Sequence, residues 1–116
     1  MQHAEFEAII KQATQTKGLA PALEFFTQSE HKEISDAAQS LKGQFSAAEL
    51  DGQLRIYHVT EQTDDEGNSE QFLEHVMNEG DDVIQFVAWF FESQFEYSAK
   101  EIYQIAGKTY RQPKRS

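Results

Sequence analysis

The stretch from Gln44 to Glu61, QFSAAEL-DG-QLRIYHVTE, holds the clearest short-range signal in the chain. Asp51-Gly52 is a preferred two-residue hairpin turn, because the turn needs positive φ at both central positions and these residues tolerate it. After the turn, Leu54, Ile56 and His58 alternate with Arg55, Tyr57 and Val59, the period of a strand with two mixed faces. The spacing predicts an antiparallel β-hairpin over about 44–60.

Toward the N-terminus the period becomes helical. Phe6, Ile9, Ile10 and Ala13 fall on one stripe and predict a helix over His3–Thr16, stopped by Gly18. Pro21 suits the first turn of a second helix, Ala20 to Ser29, where its missing N–H costs nothing. Leu23, Phe26 and Phe25 are its inward candidates. Ile34, Ala37, Ala38 and Leu41 mark a third short helix closed by Gly43.

Downstream, TDDEGN (Thr63 to Asn68) is a loop without apolar residues. Phe72, Leu73, Val76 and Met77 then have the spacing of a helical stripe. They predict a helix from Asn68 or Ser69 to about Glu79, ended by Gly80. The run VIQFVAWFF (Val83 to Phe91) fits either a buried helix or a central strand by periodicity. Its length from Asp81 to Phe95 and a capping Asp81 favour helix, with a third strand at 83–91 as the alternative. Ser98 and Glu101 have capping-box spacing and open a last helix ending at Gly107. The tail, KTYRQPKRS, is basic. The expected fold class is α+β: one compact domain over 1–110, mostly helical with one antiparallel hairpin, then a flexible basic tail at 111–116.

A chain of 116 residues with nine Phe, four Tyr and one Trp can build a core unaided. It contains no cysteine, which excludes disulfides, thiolate catalysis and thiolate metal sites. The opening MQHAEFEAII has neither the basic nor the apolar region of a secretory signal. No apolar run approaches the ~18 residues of a membrane span. The reading is a cytoplasmic, monomeric protein with no membrane contact.

Charge is distributed unevenly. Residues 56–99 hold eleven acids and no Lys or Arg: Glu61, Asp64, Asp65, Glu66, Glu70, Glu74, Glu79, Asp81, Asp82, Glu92 and Glu96. The whole chain carries a formal −10, so this block exceeds the net charge of the protein. Eleven charges match roughly 19 Å of duplex DNA, and a domain of this size is about 35 Å across. On one side of the domain they would reach about half the linear density of DNA. On helices, the pairs Glu70/Glu74 and Glu92/Glu96 would each repeat along one face at about 6 Å. Like charges so spaced destabilise a helix slightly, a local cost more common at functional surfaces.

Other chemistry finds little support. From Asp64, the EF-hand pattern demands Gly at position six and Glu at position twelve, but position twelve is His75. The four histidines, His3, His31, His58 and His75, lack metalloprotease spacing. No nucleophile elbow, phosphate-cradling loop or dinucleotide fingerprint is present. No metal, cofactor or catalytic residue is expected. Direct nucleic-acid binding is disfavoured, because the only cluster of bases is Lys108, Arg111, Lys114 and Arg115.

In charge and size, though in no motif, the chain resembles small acidic proteins that act as DNA mimics. It is equally similar to immunity proteins that plug basic nuclease toxins. Both resemblances imply a binding protein whose carboxylates meet a basic DNA-binding partner: a nucleoid-type protein, a regulator, a defence protein or a nuclease. The eleven acids are then the partner-binding residues. An immunity protein would add an aromatic hot spot, with Tyr57 and Tyr97 as candidates. A small enzyme or ligand-binding domain, using His58 or His75 in a deep apolar pocket, is the alternative of another class.

Overall fold

The computed structural model describes residues 2–110; the basic tail expected at 111–116 lies outside the described residues. Three helices lead: α1 (His3–Ala13), α2 (Leu19–Thr27) and α3 (Lys32–Leu41). Three strands follow, β1 (Phe45–Leu50), β2 (Gln53–Thr63) and β3 (Ser69–Asn78), then α4 (Ile84–Phe95) and α5 (Ala99–Ile105). The sheet is antiparallel in the order β1-β2-β3. The α+β expectation holds.

The N-terminal helices bury the stripes their sequences display: Phe6, Ile10 and Ala13 in α1, Phe26 in α2, and Ile34, Ala38 and Leu41 in α3. α1 ends at Ala13, three residues before its expected limit, and Thr14 closes it. The chain then turns through Gly18, whose φ of 116° is ready only in glycine. Pro21 sits in the first turn of α2, and Ser35 Oγ donates to the Thr27 carbonyl at 2.8 Å, tying α3 to α2.

The hairpin forms as read. Asp51 and Gly52 have φ of 54° and 77°, and Leu50 pairs with Gln53 across them. The helix expected from Asn68 or Ser69 to Glu79 is instead the third strand of the sheet. β2 is 11 residues long and β1 covers only half of it, so its other edge needs partners for its amides and carbonyls. β3 supplies them. A bulge explains why the segment reads as helical. Ile56 pairs with Met77 but Tyr57 pairs with His75, leaving Val76 as an extra residue. Adjacent Val76 and Met77 therefore both turn inward, as they would on a helix, while Phe72 and Leu73 stay exposed.

The run at 83–91 is helical, so the alternative of a strand there is overturned. α4 is the centre of the fold: Ile84, Phe86, Val87, Ala88, Phe90 and Phe91 are all buried. Phe90 stacks on Phe26 at 4.4 Å, Phe91 meets Phe6 edge-on at 5.2 Å, and Phe86 meets Phe45 at 6.0 Å. A helix apolar almost all round is what a central position requires. Its start is capped by Asp82, whose Oδ1 accepts the Ile84 N–H at 3.0 Å. Asp81, the expected cap, instead accepts the Asn78 N–H at 3.2 Å. Ser98 occupies the N-cap position of α5, but its side chain makes no capping bond, so the capping box is not closed.

The core packs against the sheet face that carries Phe45, Ile56 and Met77, on which Ala47, His58 and Glu74 also lie. Arg55, Tyr57, Val59, Leu73 and His75 alternate with these and point to the other, uncovered face.

Candidate acidic binding surface

β1 pairs with β2 only as far as His58, with one further bond from the Val59 amide to the Gln44 carbonyl at 2.7 Å. Beyond that point β2 and β3 continue as a two-stranded arm, exposed throughout from Thr60 to Phe72. The arm carries Glu61, Asp64, Asp65, Glu66 and Glu70. Glu61 pairs with Gln71 and Glu70 with Gln62, so these two acids lie on opposite faces of the arm. Asp64 builds the tip. Its Oδ1 accepts the amides of Asn68 at 2.8 Å and Glu66 at 3.0 Å, and Gly67 completes the turn with φ of 85°. The Asn68 amide above all holds the Asp64 carboxyl below its ordinary pKa. Asp65 and Glu66 are exposed beside it.

Glu79, Asp81 and Asp82 form a second group at the opposite end of β3. Nine residue steps of extended chain lead from Glu70 to Glu79, or roughly 30 Å. The Lys108 ammonium donates to Asp82. Burial opposes ionisation of Asp82, but the bonds from Lys108 and the Ile84 amide outweigh it, leaving its carboxyl below the ordinary value.

Glu92 and Glu96 close α4, one turn apart, with the Glu96 amide bonded to the Glu92 carbonyl at 3.1 Å. Glu96 itself adopts φ of 61°. Glu74 stands apart from all three groups: it accepts the indole N–H of Trp89 on the helix-facing side of the sheet. Trp89 in turn lies 5.0 Å from the His58 ring, and His58 Nε2 is 2.9 Å from Gln44 Oε1. Partial burial lowers the His58 pKa, against a raising effect of Glu74. The pair Glu70/Glu74 therefore does not repeat at helical spacing. Both face the same side of a strand, roughly 13 Å apart.

The aromatic candidates differ. Tyr97 is stacked on Phe6 at 4.6 Å with its edge exposed. Tyr57 lies on the uncovered sheet face against His75 at 5.5 Å, in line with Val59 and Leu73. No group of three or more His, Asp or Glu among the described residues is arranged to hold a metal ion. No helix among them is long and apolar enough to cross a membrane.

One feature escaped the sequence reading. A groove of about 790 Å³ opens between the α1–α2 turn and the inner face of the sheet. Its floor is the row Ala47, Ile56 and Met77, one residue from each strand, and its walls include Leu19, Val83 and the second acidic group. Neither His58 nor His75 lines it. These residues come from five separate parts of the chain, and no local pattern connects them. No family model, no curated protein and no solved structure matches this chain.

Proposed function

We propose that this protein is an acidic binding protein that acts as a DNA mimic, occupying the DNA-binding surface of a basic partner such as a nucleoid-associated, regulatory or defence protein. The observation that carries this reading is the projecting arm with Glu61, Asp64, Asp65, Glu66 and Glu70 near its end, in a block of the chain without a single Lys or Arg. An exposed arm can enter a cleft that a flat acidic face cannot. The five carboxylates of the arm lie within roughly 15 Å of hairpin, a length over which duplex DNA carries about 9 charges, so the arm reaches roughly half that density. The field would steer a cationic partner, and short-range pairing with its Lys and Arg would then exclude DNA.

The test uses a partner captured from lysate, eluted by salt and displaced by duplex DNA. Asp64 holds the loop, so the informative variant keeps it and reverses its neighbours: Asp65→Lys, Glu66→Lys and Glu70→Lys together. Binding should weaken at least tenfold at low salt, with the folded spectrum unchanged. Unaltered affinity would remove the arm from the interface.

A second reading, an immunity protein against a basic nuclease-type toxin, draws on a different observation. Tyr57, Val59 and Leu73 share the uncovered sheet face with Glu61, and Leu73 is 63% exposed. Tyr is among the residues that most often anchor a tight interface. A complex that resists salt and depends on Leu73 and Tyr57 would favour this reading over DNA mimicry.

A further inference from the structure

The two edges of the sheet differ. β3 carries the Val76 bulge and the charged side chains Glu70 and Glu74, devices that discourage pairing with another strand. β1, FSAAEL, has no Pro, Lys, Arg or bulge, and its pairing with β2 is regular from end to end. Its one charged side chain is Glu49, and neither a proline nor a bulge interrupts the edge.

The register shows which of its groups are free. The Val59 amide bonds the Gln44 carbonyl, and Leu50–Gln53 closes a two-residue turn, so 44, 46, 48 and 50 are the hydrogen-bonded positions. Phe45, Ala47 and Glu49 therefore direct their N–H and C=O outward, and none of these groups has another backbone partner among the described residues. The same three residues point their side chains to the inner face. Ala47 lies at the mouth of the groove and is exposed because its methyl leaves the space above it empty.

We infer that the β1 edge and the groove beneath it bind an extended segment of a basic partner protein by strand addition. The segment would run along Phe45–Glu49, exchanging main-chain hydrogen bonds with Phe45, Ala47 and Glu49. The partner residue opposite Ala47 puts its side chain into the groove over Ile56 and Met77, which selects a long apolar residue. Two positions along, the side chain meets Glu49, and the same end of the groove holds Glu79 and Asp81. The Glu79 amide bonds the carbonyl of Leu54, the residue paired with Glu49, which puts Glu49 and Glu79 in one row across the sheet, two strand spacings or roughly 10 Å apart. That position selects Lys or Arg. Of the two ammonium groups on the rim, Lys108 is already held by Asp82, leaving Lys17 against three carboxylates. A second copy of this chain, itself at −10, would be repelled from the same edge. The arm takes no part, so the inference stands whether or not the arm imitates DNA.

The experiment titrates isotope-labelled full-length protein with the blocked peptide TKTLTKTLT, which sets Leu and Lys at alternate positions of one strand face. Amide exchange is read residue by residue. Phe45, Ala47 and Glu49 should slow by on the order of tenfold, while Ser46 and Ala48, already in the ladder, stay as they are. Ala47→Pro, which removes a donor that β2 does not use, should abolish binding. Glu49→Lys should weaken it by roughly three- to tenfold, and decides the matter if the proline variant does not fold. No protection at peptide up to about 1 mM overturns the inference. So does equal binding of a peptide with the same residues in blocks, or a response confined to Asp64–Glu66. A dimer of the free protein that Ala47→Pro disperses, with no uptake of peptide, also overturns it in favour of self-pairing.

Discussion

The Glu74 carboxylate accepts the indole N–H of Trp89, joining β3 to α4 across the junction of sheet and helices. It is the one acid of the Ile56–Ala99 block with an aromatic N–H as its partner among the described residues, and Trp89 also packs on Phe45 and His58. Glu74 therefore has a structural task that the acids of the arm do not share.

Glu74→Ala should lower stability by about 0.5–1 kcal/mol, because it removes an exposed bond between β3 and α4, while Glu74→Gln keeps an acceptor and should cost less. Urea midpoints of the two variants, with Trp89 fluorescence as the probe, read this directly. Equal midpoints for wild type and Glu74→Ala would show that the bond contributes nothing.

His58 has a pKa below its ordinary 6.5, mainly because it is partly buried. The folded state thus prefers the neutral ring. The stability this gives is complete above pH 6.5 and is lost as pH falls through the folded pKa. Stability of the wild type should decline more steeply below pH 6.5 than that of His58→Gln. Parallel curves for the two proteins would assign the decline to other groups.

Asp64 titrates below the ordinary carboxylate range because the Asn68 amide bonds it. Its contribution is present at neutral pH and is lost only as pH falls through that lowered value. NMR titration should find Asp64 the last of the arm carboxyls to protonate. Asp64→Asn should loosen the amides of Glu66 and Asn68, whereas Asp65→Asn should leave them unchanged.

Gly52 has φ of 77° with open space where a Cβ would stand, so Gly52→Ala meets strain in the backbone alone. The expected loss is about 1 kcal/mol. Asp51→Asn, which tolerates the same conformation, should be near neutral. Thermal melts of both variants test the turn assignment.

Phe26 and Phe90 are fully buried and stacked face to face. Phe90→Ala should cost about 3–5 kcal/mol, a large part of what a small domain has. Phe90→Leu should recover more than half of that. An alanine variant that unfolds at the wild-type denaturant concentration would mean that the α2–α4 contact is not central.

Much of the fold was legible because it rests on local chemistry. Asp51-Gly52 announces its turn through the φ values it tolerates. The stripes of Phe6–Ile10–Ala13 and Ile34–Ala38–Leu41 follow from helical geometry, and Val83–Phe91 shows its burial by composition. The total charge and its concentration in 56–99 are properties of the residues themselves. Tertiary structure decided what depends on distant partners. β3 is a strand because β2 offers it an unpaired edge, and the Val76 bulge gives its apolar residues a helix-like spacing that no local rule separates from a true helix. Whether two acids are neighbours depends on that outcome: Glu70 and Glu74 stand a turn apart on a helix but roughly 13 Å apart on a strand. The same dependence hid the bond of Glu74 to Trp89 and the groove over Ala47, Ile56 and Met77. Both are made by segments far apart in sequence, which only the packed core brings within contact distance.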